Sequence, residues 1–317
     1  MNILITGIHG FIGSNLVTSF KNHHFIYGID IVSPKKDGIV KTYSWDELNE
    51  IPQVDMVIHL TGKAHDTKNQ SKAQIYFDIN TGLTKKIFNW FLSSNASKFI
   101  FFSSVKAVAD QVEGEILTED AIQKPKGPYG ESKLAAEQYI LSKFSQPLIC
   151  NPQPDKKVYI LRPCMIHGPG NKGNLNLLYK VVSKRIPWPL GSFDNKRSFT
   201  SIDNLLFIIE KLINLDIESS IYHISDDEPL STNQLIELIS LSVGKTIRIW
   251  NIPRGLIKNF AKLGDILHLP FTSFRLQKLS ENYIVSNDKI KRAIGVDRLP
   301  VTAYEGMTKT LASFKNN

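Results

Sequence analysis

The sequence predicts an α/β chain: a doubly wound parallel sheet with a second, smaller mixed domain interleaved with it. Three observations carry that expectation. Short, nearly unbroken apolar runs recur through the first half of the 317 residues, as strands covered on both faces require. Segments with helical spacing of apolar residues separate them, and such alternation places helices on both sides of a parallel sheet. Past about residue 166 the alternation gives way to turns, helices and short strands. The units are therefore expected at 1–165 and 166–317, with the chain returning to the first around 199–224.

Asn2-Ile3-Leu4-Ile5-Thr6 reads as the first buried strand. It runs into Gly7-Ile8-His9-Gly10-Phe11-Ile12-Gly13, and residues 14–20 continue with helical spacing. Residues 25–30 form the next strand, ending on the carboxylate of Asp30. Strands follow at 54–60 and 98–103, with a largely helical stretch over 72–94 between them. A helix carrying Tyr129 runs to Phe144, and 158–162 is a further strand. Residues 151–157 read as an exposed loop and 168–173 as turns, because proline and glycine punctuate both. In the second unit, 221–224 reads as a strand and 232–243 as a helix. Residues 256–263 are amphipathic, a pattern read as packing of a domain helix in preference to membrane contact.

Hydrophobic residues make up 42% of the chain and charged residues 21%, the balance of a globular protein with a core. No run of eighteen apolar residues is present and the first residues read as a strand. Neither an integral membrane segment nor a signal peptide is expected. The two cysteines, Cys150 and Cys164, have no metal-ligand spacing, so no metal site is expected and a reducing cytoplasm fits best. The formal charge of +8 helps attract an anionic substrate, and no nucleic-acid partner is expected from it.

Strand, glycine turn, helix, strand and terminal acid is the order in which a glycine fingerprint signals a dinucleotide site. Gly7, Gly10 and Gly13 permit the tight turn and a close approach to a pyrophosphate at the helix N-terminus, with Phe11 and Ile12 in the same turn. Asp30 is placed to accept from the adenosine ribose, which favours NAD over NADP. Ligands of an open parallel sheet bind beyond the carboxyl ends of its strands, which brings in Leu60-Thr61-Gly62 and Ser103-Ser104.

Tyr129 and Lys133 stand four residues apart, hence on one helix face. A phenol titrates near pH 10. Bringing it to about 7 takes roughly 4 kcal/mol, which a neighbouring ammonium and a cationic cofactor ring share. Tyr129 is then a proton carrier near neutral pH, and Ser104 a hydrogen-bond partner for the reacting oxygen. Lys63 and His65 read as polar loop residues after the strand at 54–60.

These motifs resemble those of the extended short-chain dehydrogenases/reductases of the nucleotide-sugar epimerase/dehydratase family, over nearly the whole chain. Thr6-Gly7-x-x-Gly10-Phe11-Ile12-Gly13 is similar to the family's nucleotide fingerprint, and Phe102-Ser103-Ser104 with Tyr129-x-x-x-Lys133 to its Ser-Tyr-Lys triad. Asn80 matches the asparagine that supports the active site from a neighbouring helix. Leu161-Arg162-Pro163 with Gly168-Pro169-Gly170 resembles the segment leading from the nicotinamide site into the substrate domain. Arg197-Ser198-Phe199-Thr200-Ser201-Ile202-Asp203 resembles the element whose arginine meets the sugar nucleotide's diphosphate, a group that an arginine fork suits. The resemblance thus implies Arg197 as the first substrate-binding candidate, Asn174 as an amide contributor, and Arg275 as a further arginine whose ordinary alternative is a solvated surface charge. The resemblance implies a Rossmann fold, NAD held by the fingerprint, Leu60-Thr61-Gly62, Asn80, Tyr129, Lys133 and Pro163, and a UDP-sugar substrate. It also implies a homodimer formed through the sheet-flanking helices.

Departures from the pattern narrow the reaction. Ser104-Val105-Lys106-Ala107-Val108-Ala109 lacks the tyrosine of the family's Val-Tyr-Gly, and Val105-Lys106 stands where its dehydratases carry an Asp-Glu pair. Thr42-Tyr43-Ser44-Trp45-Asp46 replaces the expected Gly-Asp-Ile/Val. The chain is thus similar to 4-epimerases and 4-keto-sugar reductases of bacterial surface-polysaccharide synthesis. The implied activity is 4-epimerisation of a UDP-hexose or UDP-N-acetylhexosamine through a 4-keto intermediate with bound NAD. The alternative is an NAD(P)H-dependent reductase of a UDP-4-keto-6-deoxy sugar. A non-catalytic dinucleotide sensor is disfavoured by the intact triad.

Overall fold

The computed structural model describes residues 1–64, 72–144, 156–171, 173–269 and 271–316. His65, Cys150, residues 151–155 of the loop read over 151–157 and the side chain of Asn174 lie outside the described parts. The end of that loop is corrected: Lys156 is buried and donates to the carbonyls of Phe91, Ser94 and Ala96, and Lys157 already opens a strand.

The apolar runs become strands β1 (Asn2–Thr6), β2 (Phe25–Ile29), β3 (Lys41–Tyr43), β4 (Met56–His59), β5 (Lys98–Phe102) and β6 (Lys157–Pro163). β7 (Met165–His167) and β8 (Phe199–Ser201) pair with each other, and β9 (Ser220–Ile224) rejoins the main sheet. That sheet is wholly parallel, in the order β3-β2-β1-β4-β5-β6-β9. The order reverses beside β1, which opens a crevice at the carboxyl ends of β1 and β4.

Side chains alternate across each strand and so feed two cores. Ile3, Ile5 and Ile58 face α1 (Phe11–Phe20), while Leu4, Val57, Phe99 and Phe101 face the opposite layer. That layer begins with α2 (Ala73–Tyr76) and α3 (Leu83–Ser93), joined by one wide π-helical turn, Phe77–Gly82. α4 (Pro128–Phe144) packs beside them through Ala136 and Ile140. The sequence read 72–94 as one helix, and nothing in its apolar spacing marked the wide turn. Such turns cluster at functional sites, and this one carries Asn80.

The remaining helices are α5 (Asn174–Ser183), α6 (Ile202–Asn214), α7 (Thr232–Val243), α8 (Arg254–Ile266), α9 (Ser273–Ser280), α10 (Asp288–Ile294) and α11 (Ala303–Ser313). α6 and α10 complete the α1 side of the sheet through Leu205, Ile209 and Ile290. A separate core gathers Leu175, Leu235, Ile239, Ile257, Leu276 and Leu311 from α5, α7, α8, α9 and α11. α7 ends as its sequence dictates: a Ser231–Gln234 capping box starts it and Gly244 at φ +65° stops it. No described helix is long and apolar enough to cross a membrane.

Candidate active site

A cavity of about 860 Å³ lies beyond the carboxyl ends of β1, β4, β5 and β6. One side is the glycine turn. Gly7 sits at φ +69°, and a Cβ there would stand 3.2 Å from the Thr61 nitrogen, so conformation and space both call for glycine. Gly10, Phe11, Ile12 and Gly13 line the cavity. α1 starts from Gly10 without a side-chain cap, which leaves its first N–H groups for an incoming phosphate. Asp30 accepts from the His9 N–H at 3.0 Å and the Ile31 N–H at 2.7 Å, fixing its carboxylate beside the turn. The His9 ring bonds through Nε2 to Thr42 Oγ1 at 3.1 Å and lines the cavity, so β3 contributes without the expected Gly-Asp-Ile. Leu60 and Gly62 continue the wall, with Thr61 behind Gly7 and its N–H donated to Thr6 Oγ1. A turn too tight for side chains, an uncapped helix start and a fixed acid fit a dinucleotide.

Asn80 ties the next pieces together. Its Oδ1 accepts from the Lys63 N–H at 2.7 Å; its Nδ2 donates to Lys63 O at 3.2 Å and to Ser132 Oγ at 2.9 Å. Ser132 Oγ donates on to Tyr129 O at 2.9 Å. The loop after β4 and the first turn of α4 are thereby held in one register. Beneath them His59 is bracketed by Thr6 Oγ1 at 2.6 Å and Thr84 Oγ1 at 2.9 Å. Thr84 donates to Asn80 O at 2.6 Å, so its oxygen accepts from His59 Nε2–H, and this network assigns Nδ1 as the acceptor from Thr6. Burial, then the Lys133 charge, depress the His59 pKa well below its ordinary value and keep the ring neutral.

Lys133 is buried, donates to Phe102 O at 2.8 Å and lies over the Phe101 ring at 5.0 Å. Gly62 faces it: a Cβ there would come within 2.9 Å of Lys133 Nζ. Burial brings the ammonium down to about 8, opposed by Glu137 one turn along α4. Glu137 is itself buried against Arg162, Oε2 to Nη2 2.5 Å, and accepts from Ser103 Oγ. Of the two adjacent serines, Ser103 thus serves this buried pair, while Ser104 faces Tyr129. Burial raises the Tyr129 pKa, and the Ser104 side chain pulls the other way. The neighbouring Tyr76 raises it further, and the lowering expected from Lys133 is not among the causes: that ammonium donates to the Phe102 carbonyl.

The far wall is assembled from distant residues. Lys106 lies 3.2 Å from Asp110 Oδ1 and over the Tyr283 ring at 4.8 Å. Arg197 lines the cavity and donates from Nη1 to Lys278 O at 2.6 Å, one of its five donors. Pro163, Met165 and the buried Cys164 lie between the two sides. Burial pushes the Cys164 thiol up, so it is no nucleophile. α5 starts at Asn174, next to the lining residue Gly173. Arg275 sits exposed on α9, outside the lining. Sequence reasoning missed His9, His59, Glu137 and Tyr283 as site residues. Lys106 was visible only by its place after Ser104.

A family model, the NAD dependent epimerase/dehydratase family, matches residues 3–224. The chain belongs to this family. A UDP-glucose 4-epimerase of Vibrio cholerae is 29% identical, over 99% of this chain and 95% of its own. The N-acetyl-alpha-D-glucosaminyl-diphospho-ditrans,octacis-undecaprenol 4-epimerase of Escherichia coli O157:H7 is 23% identical, over 98% and 94%. Among solved structures, the Thermotoga maritima UDP-glucose 4-epimerase with UDP-glucose superposes with a TM-score of 0.75 at 20% identity, covering 100% of this chain and 99% of that one. That likeness concerns the fold.

Proposed function

We propose that the protein is an NAD-dependent 4-epimerase of a UDP-hexose or UDP-N-acetylhexosamine. The observation that carries this reading is the placement of Ser104, Tyr129 and Lys133 on one wall of a cavity that also takes in the glycine turn and Arg197. Tyr129 takes the proton of the sugar 4-hydroxyl as carbon 4 is oxidised, and Ser104 holds the same oxygen by a hydrogen bond. The 4-keto sugar turns over in the cavity, and Tyr129 returns the proton once the other face is reduced. The glycine turn and Asp30 would hold NAD, which would supply hydride transfer from and back to carbon 4. Lys133 brings a buried ammonium, bonded to the Phe102 carbonyl, to the same cavity, and Arg197 takes the diphosphate. Asn80 acts by position, keeping the Lys63 backbone and Ser132 in register.

Asp30 supports NAD over NADP, since a fixed carboxylate repels a 2′-phosphate. A cytoplasmic homodimer, joined through the outer faces of α3 and α4, accords with the family resemblance. Residues 166–317 supply most of the sugar-nucleotide side in this reading. A second reading, reduction of a UDP-4-keto-6-deoxy sugar, is favoured by the missing tyrosine after Ser104. One assay separates them. Purified enzyme is incubated, without added cofactor, with UDP-glucose, UDP-galactose and their N-acetylated forms. Interconversion of carbon-4 epimers is the expected result. No interconversion, with stoichiometric NAD(P)H oxidation on the 4-keto substrate, transfers the assignment to the reductase.

A further inference from the structure

Two helices of thirteen residues treat their apolar side chains differently. α6 exposes none of its large ones, whereas α8 buries Ile257, Ala261 and Gly264 and leaves a second stripe outside. That stripe is Leu256, Phe260, Leu263 and Leu267, spaced four, three and four residues apart as one helical face requires. They are 61%, 65%, 45% and 58% exposed, and Ile266 beside them is 72% exposed. Leu269 and, at the start of α9, Phe274 extend the apolar surface. Single exposed leucines are ordinary, but a contiguous group of this size marks an interaction face.

The charge on the same segment is one-sided. Residues 254–278 carry Arg254, Lys258, Lys262 and Arg275, besides Lys278, which pairs with Glu281 at the cavity edge; the one acid among them, Asp265, accepts from the Ser273 N–H. Lys258 and Lys262 run along the other flank of α8, both exposed, where their long stems let the ammonium groups reach past the helix. A second copy of this chain is a poor occupant. A two-fold contact would set the same surface, and hence the same cations, against itself. Apolar side chains flanked by lysines are the pattern of helices that lie in the headgroup region of an anionic bilayer.

We propose that the outer face of α8, with the start of α9, docks onto a bilayer carrying anionic lipid. The apolar stripe enters the acyl boundary, and Lys258 and Lys262 meet headgroup phosphates. The docked face lies one layer behind the cavity wall, since α9 gives the Lys278 carbonyl that receives Arg197. Docking of this face engages none of the groups placed in the proposed reaction.

The test floats the full-length chain with vesicles of phosphatidylglycerol and phosphatidylethanolamine, and with phosphatidylcholine vesicles as control. Expected is flotation with the anionic vesicles, weakened by salt, and little with the control. Phe260→Ser with Leu263→Ser should lower the bound fraction at least about tenfold while the thermal transition stays in place. Lys258→Glu with Lys262→Glu should do the same on anionic vesicles. Absence of flotation, or flotation unchanged in both double variants, overturns the proposal. So does a drop in assembly size of the Phe260→Ser, Leu263→Ser protein in sedimentation, which would give the face to a second copy.

Discussion

The two walls of the cavity are built on opposite plans. On the wall of Asn80, Tyr129 and Lys133, polar groups are paired inside the protein: Asn80 with Lys63 and Ser132, His59 with two threonines, Lys133 with a carbonyl. On the wall of Lys106, Arg197 and Lys278, three cations share two acids, Asp110 and Glu281, at a half-open edge. The first plan fixes geometry, because a buried polar group that shifts loses its partner and pays the full desolvation cost. The second stores positive potential for an anion that arrives from solvent. Positioning and chemistry belong to one wall and affinity to the other, so substitutions on the two should separate in kcat and KM.

The largest effect is expected on the fixed wall. Tyr129→Phe removes the proton carrier and little volume, so turnover should fall by about 10² to 10⁴ while cofactor binding and the melting temperature hold. Near wild-type turnover in this variant would show that another group moves the proton.

The same contrast explains what was legible beforehand. The glycine turn, Asp30 and the Tyr129–Lys133 pair each occupy a short stretch, where periodicity and spacing reach. Lys106, Arg197, Lys278 and Tyr283 span most of the chain and meet only because β9 returns to the sheet and α9 packs behind Arg197. Arg197 was found through a motif and Tyr283 through none. The wide turn at Asn80 escaped because a π-turn adds a residue without disturbing the apolar stripe enough to be read. The direction of the Tyr129 shift escaped for a different reason. Spacing places Lys133 on the right face, but only the fold reveals that its ammonium points at Phe102 O.

The pH dependence of stability tests the buried state of Lys133. Its pKa falls from 10.5 to about 8 on folding, so between those values the unfolded chain binds more protons. Stability from this group therefore rises as pH climbs from about 8 to about 10.5, by roughly 3 kcal/mol. Cys164 and the buried tyrosines titrate in both proteins, so the measured quantity is wild type minus Lys133→Met in unfolding free energy. It should climb across that window. A flat difference would mean that Lys133 keeps an ordinary pKa in the folded chain.

On the cationic wall, Arg197→Met should raise the KM for the sugar nucleotide by about 10- to 100-fold, the worth of one or two charge-assisted hydrogen bonds. kcat should change by less than about threefold. A loss confined to kcat would move Arg197 to the chemical step and erase the division between the walls.

The smallest effect concerns Asp30, which shares both plans: it is anchored like the first wall and charged like the second. Its two backbone bonds, from His9 and Ile31, hold the glycine turn to the end of β2. Alanine would lose that anchoring together with the charge, and the two losses could not be told apart. Asp30→Asn keeps an acceptor oxygen for the turn and removes the negative charge. NAD affinity should then weaken by no more than about tenfold, since a neutral acceptor still serves the ribose hydroxyl. NADP affinity should improve, because the repulsion of a 2′-phosphate is gone. The ratio of the two dissociation constants, measured by titrating the cofactor-free protein, narrows from both ends. An unchanged ratio would place cofactor choice elsewhere, and His9, whose ring lines the cavity and bonds to Thr42, is the next residue to substitute.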